Sequence, residues 1–166
     1  MRVISGKARG KKLVSLEGLT TRPTLDRVKE ALFNIIQFDI GNKRILDLFA
    51  GSGALGIEAL SRGANSATFC DNSYEAIQVI KTNIENTKNV DKSIVINKDY
   101  SLALNSLSKQ NKKFNIIFLD PPYKTDFGIK AIKAILDLEI LAKDGMIILE
   151  TDDEQKEQEI IQIQGI

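Results

Sequence analysis

Four aspartates stand where apolar, strand-forming runs meet the next turn, and this placement restricts the fold more tightly than any other feature. Asp47 lies near the end of the run 44–49, just before a glycine turn. Asp71, Asp99 and Asp120 end or follow the runs 66–71, 93–97 and 114–119. A fifth run, 146–150, closes the series. Helical periodicity over 54–62, 74–87, 102–107 and 129–138 separates these strands, with Ile77, Ile80 and Ile84 on one face of the second helix. Strands alternating with helices of this length predict a parallel sheet covered on both faces. Right-handed crossovers and a switch in strand order place ligands at the carboxyl ends of the strands. All four acids then share the ligand-bearing edge.

The segment ahead of this core is different in character. Runs 2–5 and 11–15 predict a short hairpin around Gly6 and Gly10. A helix over 25–38 is expected to follow, capped by Thr24, with Leu25, Val28, Leu32, Ile35 and Ile36 on one face. Residues 1–44 hold 10 Lys or Arg against 4 Asp or Glu, a balance of +6, whereas the remainder holds 13 against 18. Arg2, Lys7, Arg9, Lys11 and Lys12 include no acid among them and can neutralise phosphates. A solvated, loosely held arm explains the same charges equally well.

Composition removes several chemistries. The 166 residues suffice for one domain with a real core, and no apolar run nears the ~20 residues of a membrane span. The basic N-terminus lacks the apolar stretch of a signal peptide. The chain has no histidine, so Ser-His-Asp and Cys-His catalysis are excluded, and it has no cysteine–histidine cluster for zinc. Its one cysteine, Cys70, forms no internal disulfide, which points to a reducing cytoplasm.

The run 114–119 leads into Asp120-Pro121-Pro122-Tyr123. Prolines lack an N–H and hold the backbone extended, so their carbonyls can be aimed at a ligand. Asp120 adds an acceptor and Tyr123 a stacking surface. Two acceptors and a ring suit the exocyclic amine of a nucleobase drawn out of its stack. A loop that merely ends a strand is the plainer alternative.

The first core strand and its helix are joined by residues 47–56, where Gly51, Gly53 and Gly56 match G-x-G-x-x-G and Asp71 lies 20 residues beyond Gly51. That pattern and context fit dinucleotide binding, so a nicotinamide oxidoreductase enters as a hypothesis. Three observations favour S-adenosylmethionine. Asp47, ahead of the glycines, opposes a pyrophosphate but suits a ligand amino group. The chain is short for a second mononucleotide half plus a substrate domain. No histidine serves the acid–base work common in dehydrogenases. S-adenosylmethionine has an adenosine for Asp71 and Asp99 to hold, no phosphate, and a cationic methionine end. Gly56 can also serve simply to pack helix against strand.

Residues 2–13 (RVISGKARGKKL), 21–30 (TRPTLDRVKE), the glycine turn and 120–123 (DPPY) occur in this order. In this the chain resembles the RsmD family of bacterial methyltransferases, which act on guanine N2 of 16S ribosomal RNA, from residue 2 to about 150. The resemblance implies a Rossmann-like class I methyltransferase, an α/β fold with a mostly parallel sheet. It implies one domain: a basic hairpin over 1–20, a helical segment over 21–40, a cofactor-binding core over 44–150 and a tail over 151–166. It also implies that Asp47, Phe49, Ala50, Gly51, Ser52, Gly53, Asp71, Asn72, Asp99 and Tyr100 surround S-adenosylmethionine, with Arg22 and Thr24 near its methionine end. Asp120, Pro121, Pro122 and Tyr123 would bind the target guanine. Arg2, Lys7, Arg9, Lys11, Lys12 and Arg27 would contact RNA, although Arg27 fits a surface charge as well. The expected partner is 16S ribosomal RNA or the assembling small subunit, met by a cytoplasmic monomer away from membranes.

The glycine turn and DPPY alone reach the wider class of amino-methyltransferases, adenine-N6 enzymes included, and a non-catalytic RNA-binding module is a further alternative. One departure from the family concerns the end of the sheet. Class I methyltransferases finish with a sixth strand and an antiparallel seventh. The 16 residues after Glu150, at about 3.3 Å per residue, can supply one strand but not that hairpin. The chain thus looks truncated beside the family, and an unpaired edge at the fifth strand would be an aggregation or pairing hazard.

Overall fold

The computed structural model describes residues 1–16, 23–122, 124–151 and 159–164, with backbone alone at 23–26, 151 and 159–164. A helix, α1 (Pro23–Ile36), precedes the core. The core runs β1 (Arg44–Asp47), α2 (Ala54–Ser61), β2 (Ser66–Asp71), α3 (Tyr74–Asn86) and β3 (Ser93–Asn97). It continues through α4 (Tyr100–Lys109), β4 (Phe114–Leu119), α5 (Phe127–Asp137), β5 (Leu141–Thr151) and β6 (Glu159–Gln164). The strands form one sheet in the order β3-β2-β1-β4-β5-β6, parallel throughout except for β6. The chain adds strands to one side of β1, then crosses over to begin β4 on its other side. The switch point therefore lies between β1 and β4.

Period-two alternation divides each central strand between two cores. Ile45, Phe69, Ile116 and Phe118 face a cluster completed by α1, α2, α3 and the N-terminal arm. Leu46, Cys70, Ile117 and Leu119 face a second cluster built on α4 and α5. Gly56 is needed for one of these contacts: a Cβ there would lie 2.4 Å from the ring of Phe69, so glycine lets α2 sit directly on β2.

Several expected boundaries move. α1 starts at Pro23, where a missing N–H costs nothing in the first turn, so Thr24 stands inside the helix instead of capping it. Its buried face is Lys29, Leu32, Phe33 and Ile36, at the i, i+3, i+4, i+7 spacing, while Ile35 is 61% exposed. Asp99 starts α4 two residues earlier than the apolar pattern indicated, because its Oδ2 accepts the N–H of Ser101. β5 begins at Leu141 and bulges before Met146, which keeps it paired with β4 beyond the expected run. The edge of β5 is paired antiparallel with β6 from Met146↔Gln164 to Thr151↔Glu159. Among the described residues, no helix is long and apolar enough to cross a membrane.

The N-terminal arm is built into the molecule. Val3, Ala8 and Leu13 are buried in the first core, while Arg2, Lys7, Arg9, Lys11 and Lys12 are exposed. The two runs meet at one antiparallel bridge, Arg2↔Lys12. Glu58 on α2, fully buried, receives the N–H of Ile4 at 2.8 Å and of Ser5 at 3.1 Å. Its charge is met by Lys29 Nζ at 3.1 Å and Arg62 Nε at 2.8 Å. Ser61 Oγ donates to the Ser5 carbonyl and accepts from Ala8 N–H. The approach is so close that a Cβ on Gly6 would lie 1.9 Å from the Ser61 carbonyl oxygen.

Candidate functional site

A cavity of about 500 Å³ opens at the switch point. Its floor is the turn after β1, with Phe49, Ala50, Gly51 and Ser52 on its wall. The turn reverses sharply, with Gly51 at φ 58° and Gly53, the residue preceding α2, at φ 83°. Asp71 reaches across from the end of β2: its Oδ2 accepts the N–H of Gly51 at 2.9 Å and its Oδ1 that of Ser73 at 2.9 Å. A carboxylate has about four acceptor positions, so Asp71 keeps capacity toward a ligand while bracing the turn. Asn72, Asp99 and Tyr100 continue this wall, and Asp120, Pro121 and Pro122 close the opposite end.

Tyr100 packs between Phe49 and Phe127, tilted 44° and 40° to their rings, with centroids 5.4 Å and 5.1 Å away. This aromatic row gives the cavity an apolar side. At the acceptor loop, Thr125 Oγ1 donates to the Pro122 carbonyl at 2.9 Å. Asp120 is exposed at the rim.

Asp47 is a correction. It was expected at the cofactor, but neither Asp47 nor Gly53 lines the cavity. The carboxyl lies beneath the turn at 1% exposure, where Oδ2 accepts the N–H of Gly56 at 3.1 Å and stabilises the start of α2. Its other oxygen is buried with no partner among the described residues. Burial, with Asp120 and Asp71 nearby, raises its pKa from 3.8 to about 7 against the lowering effect of the Gly56 bond. The turn folds over Asp47, so an acid that reads as ligand-facing from its sequence position serves the backbone instead. Burial likewise pushes the Cys70 thiol up to about 12, leaving it no role as a nucleophile near neutral pH.

Phe49, Ala50, Gly51, Ser52, Asp71, Asn72, Asp99, Tyr100, Asp120, Pro121 and Pro122 are thus brought to one cavity. Arg22 and Tyr123 lie outside the described residues, as does the side chain of Thr24. The arm cations and Arg27 are exposed but do not line the cavity. Several lining residues were not anticipated: Met1, Ser15 and Leu16 from the arm, Lys29 from α1, Phe127 from α5 and Glu150 from β5. Lys29 had a legible signal, being a charge at the core spacing of Leu32, Phe33 and Ile36. The arm residues had none, because their approach depends on the docking of the whole hairpin.

Comparison with known proteins shows the family and the fold. A family model described as "Conserved hypothetical protein 95" matches residues 1–165. The Bacillus subtilis protein YlbH, provisionally named an rRNA methyltransferase, is 44% identical over 155 residues, 93% of this chain and 84% of its own length. The ribosomal RNA small subunit methyltransferase D of Escherichia coli is 37% identical over 152 residues, 92% of this chain and 75% of its own. A solved structure of a Thermus thermophilus protein, titled as hypothetical, superposes with a TM-score of 0.83 at 26% identity, covering 98% of both chains.

Proposed function

The chain belongs to the family described as conserved hypothetical protein 95, the RsmD family, and from that premise we propose that it methylates guanine N2 in small-subunit ribosomal RNA. The methyl donor is S-adenosylmethionine. One observation carries this reading: the glycine turn with Asp71 and Asp99, and the Asp120-Pro121-Pro122 loop, line the same cavity. Acids at one end suit ribose hydroxyls and a cationic ligand, and acceptors at the other suit an amine. The acids lining the cavity, Asp71, Asp99, Asp120 and Glu150, suit a cationic ligand better than the pyrophosphate of a dinucleotide.

S-adenosylmethionine supplies an electrophilic methyl on a sulfonium that leaves as a neutral thioether. The residues of this chain prepare the amine. A purine amine is a weak nucleophile because its lone pair is delocalised into the ring. Acceptor bonds from Asp120 and the Pro121 carbonyl draw its two hydrogens out of conjugation and turn the lone pair toward the methyl. The Pro122 carbonyl is held by Thr125, which leaves the Pro121 carbonyl as the loop's backbone acceptor. Transfer would make an N–C bond at the expense of the donor's C–S bond, and Asp120 or water would take the amine's surplus proton. Positioning supplies most of the rate. Tyr123 provides the stacking face for the flipped base, worth roughly 1–3 kcal/mol.

The exposed cations of the arm and Arg27 follow the phosphate backbone, while Val3, Ala8 and Leu13 anchor that surface to the core. We read the whole chain as one catalytic unit, monomeric and cytoplasmic. The Arg22 and Thr24 segment serves the methionine end of the donor. The test is transfer of a radiolabelled methyl group to small-subunit ribosomal RNA, followed by nucleoside analysis. Label in N2-methylguanosine is expected. Label in N6-methyladenosine would move the substrate to another base, and RNA binding with no transfer at all would reduce the chain to a binding module.

A further inference from the structure

Asn83 lies within α3, outside every motif legible in the sequence, and is fully buried. Its carboxamide is spent on two distant segments. Nδ2 donates to the Val14 carbonyl at 2.9 Å and to the Ser52 carbonyl at 2.9 Å, while Oδ1 accepts the Val14 N–H at 2.7 Å. The two-way exchange with Val14 fixes the orientation of the amide, since a flipped group would set donor against donor.

Ser52, in the glycine turn, lines the cavity, and Val14 leads directly into Ser15 and Leu16, which also line it. Ser52 stands between two glycines at positive φ, so the turn has little stiffness of its own. Its restraints include Gly53 N–H to the Ala50 carbonyl, Ala50 N–H to the Cys70 carbonyl, Gly51 N–H to Asp71, Gly56 N–H to Asp47, and Asn83 to Ser52. Of these, the last ties the turn to the N-terminal arm through the same amide that bonds Val14.

We propose that Asn83 is a positioning residue for the cofactor end of the cavity, holding the glycine turn and the Val14–Leu16 segment at a set spacing. The inference rests on the methyl-transfer reading and extends it to a residue that touches neither ligand. A residue serving only to fill the core would not need both amide hydrogens matched to carbonyls of two segments distant in sequence. Loss of the donors lets the turn sample other conformations, and the donor must then bind a fraction of the molecules.

Calorimetric titration with S-adenosylhomocysteine, joined to transfer kinetics on ribosomal RNA, tests this. Asn83→Asp preserves size and the acceptor oxygen but removes both donors. Affinity is expected to fall about tenfold and the KM for S-adenosylmethionine to rise to match, with kcat within about twofold. Asn89→Ala cuts the buried bond from Asn89 to Thr87, 2.9 Å long, just past the same C-terminal end of α3, leaves the Asn83 carboxamide in place, and controls for lost stability. It should leave affinity within about twofold. Should Asn83→Asp fail to fold, Val14→Pro removes the N–H given to Oδ1 from an exposed position and should lower affinity about threefold. Unchanged affinity in folded Asn83→Asp, or in Val14→Pro where the first variant does not fold, overturns the proposal. An equal loss in Asn89→Ala also overturns it. If the wild-type chain itself neither binds S-adenosylhomocysteine nor methylates RNA, the methyl-transfer reading falls and takes this inference with it, a result distinguishable because the variants play no part in it.

Discussion

The two ends of the cavity are made rigid by different means. At the cofactor end, a glycine turn with little intrinsic stiffness is held by side chains from three elements: Asp71 on Gly51, Asn83 on Ser52 and Asp47 on Gly56. At the acceptor end, Pro121 and Pro122 restrict the backbone covalently, and Thr125 adds one bond from within the loop. The first end is a tertiary construction, assembled from residues far apart in sequence. The second is almost complete in four consecutive residues. On the proposed function, the division follows from the tasks. A backbone that closely approaches a cofactor must be free of side chains, hence glycine, and glycine must be braced from outside. An acceptor loop needs only its carbonyls aimed, which proline achieves locally.

If the ends are separable in this way, Asp120→Ala should produce the largest effect and confine it to chemistry. Transfer is expected to fall by about 10²-fold or more, while S-adenosylhomocysteine affinity stays within about twofold. Paired kinetics and calorimetry check this, and a parallel loss of affinity would merge the two ends. Asp71→Ala should act the opposite way. It removes the brace on Gly51 and the acceptor for ribose, so affinity should weaken by about 1.5–3 kcal/mol, with kcat at saturation much less affected. An unaltered dissociation constant would displace Asp71 from the site.

Asp47 sharpens the comparison further, because it belongs to the cofactor end without lining it. Asp47→Asn keeps an oxygen for Gly56 and should change S-adenosylhomocysteine affinity least, by no more than about threefold. Its signature is in stability. The folded pKa near 7 lies above the ordinary 3.8, so between these values the folded chain holds a proton that the unfolded chain has lost. Unfolding there releases a proton, and rising pH favours the unfolded state. The ligand-free chain should therefore lose stability from about pH 4 to pH 7, and Asp47→Asn should flatten that part of the profile. Denaturant melts across the window would read it, and an identical slope in both proteins would place the titration elsewhere.

Much of the architecture was legible because its signals are local. Strands 66–71, 93–97 and 114–119 matched their observed bounds, since alternation and β-branched residues act over a few positions. The inner face of α3 was read correctly from Ile77, Ile80 and Ile84, all buried. The face of α1 was misread at Ile35 because Lys29 holds a core position that apolar periodicity assigns to a hydrophobic residue. Its ammonium is tolerated there because Glu58 lies 3.1 Å away and the Arg2 carbonyl accepts from it at 3.1 Å. Glu58, in turn, remains buried because Arg62 and two backbone N–H groups of the arm complete its partners; breaking such a set typically costs about 3–5 kcal/mol. The arm that reads as a string of solvated cations is pinned by this acid, more than 50 residues away in the chain.

The sequence by itself determined the alternating α/β order, the row of acids at the strand ends, the glycine turn and the acceptor loop. These depend on backbone restriction and side-chain period, which operate between near neighbours. Tertiary structure alone decided that Asp47 lies beneath the turn, that Asn83 joins two distant segments and that β6 covers the edge of β5. A buried polar group takes its partners from whichever segments the packing brings within about 3 Å of it, and that distance has no counterpart in sequence spacing.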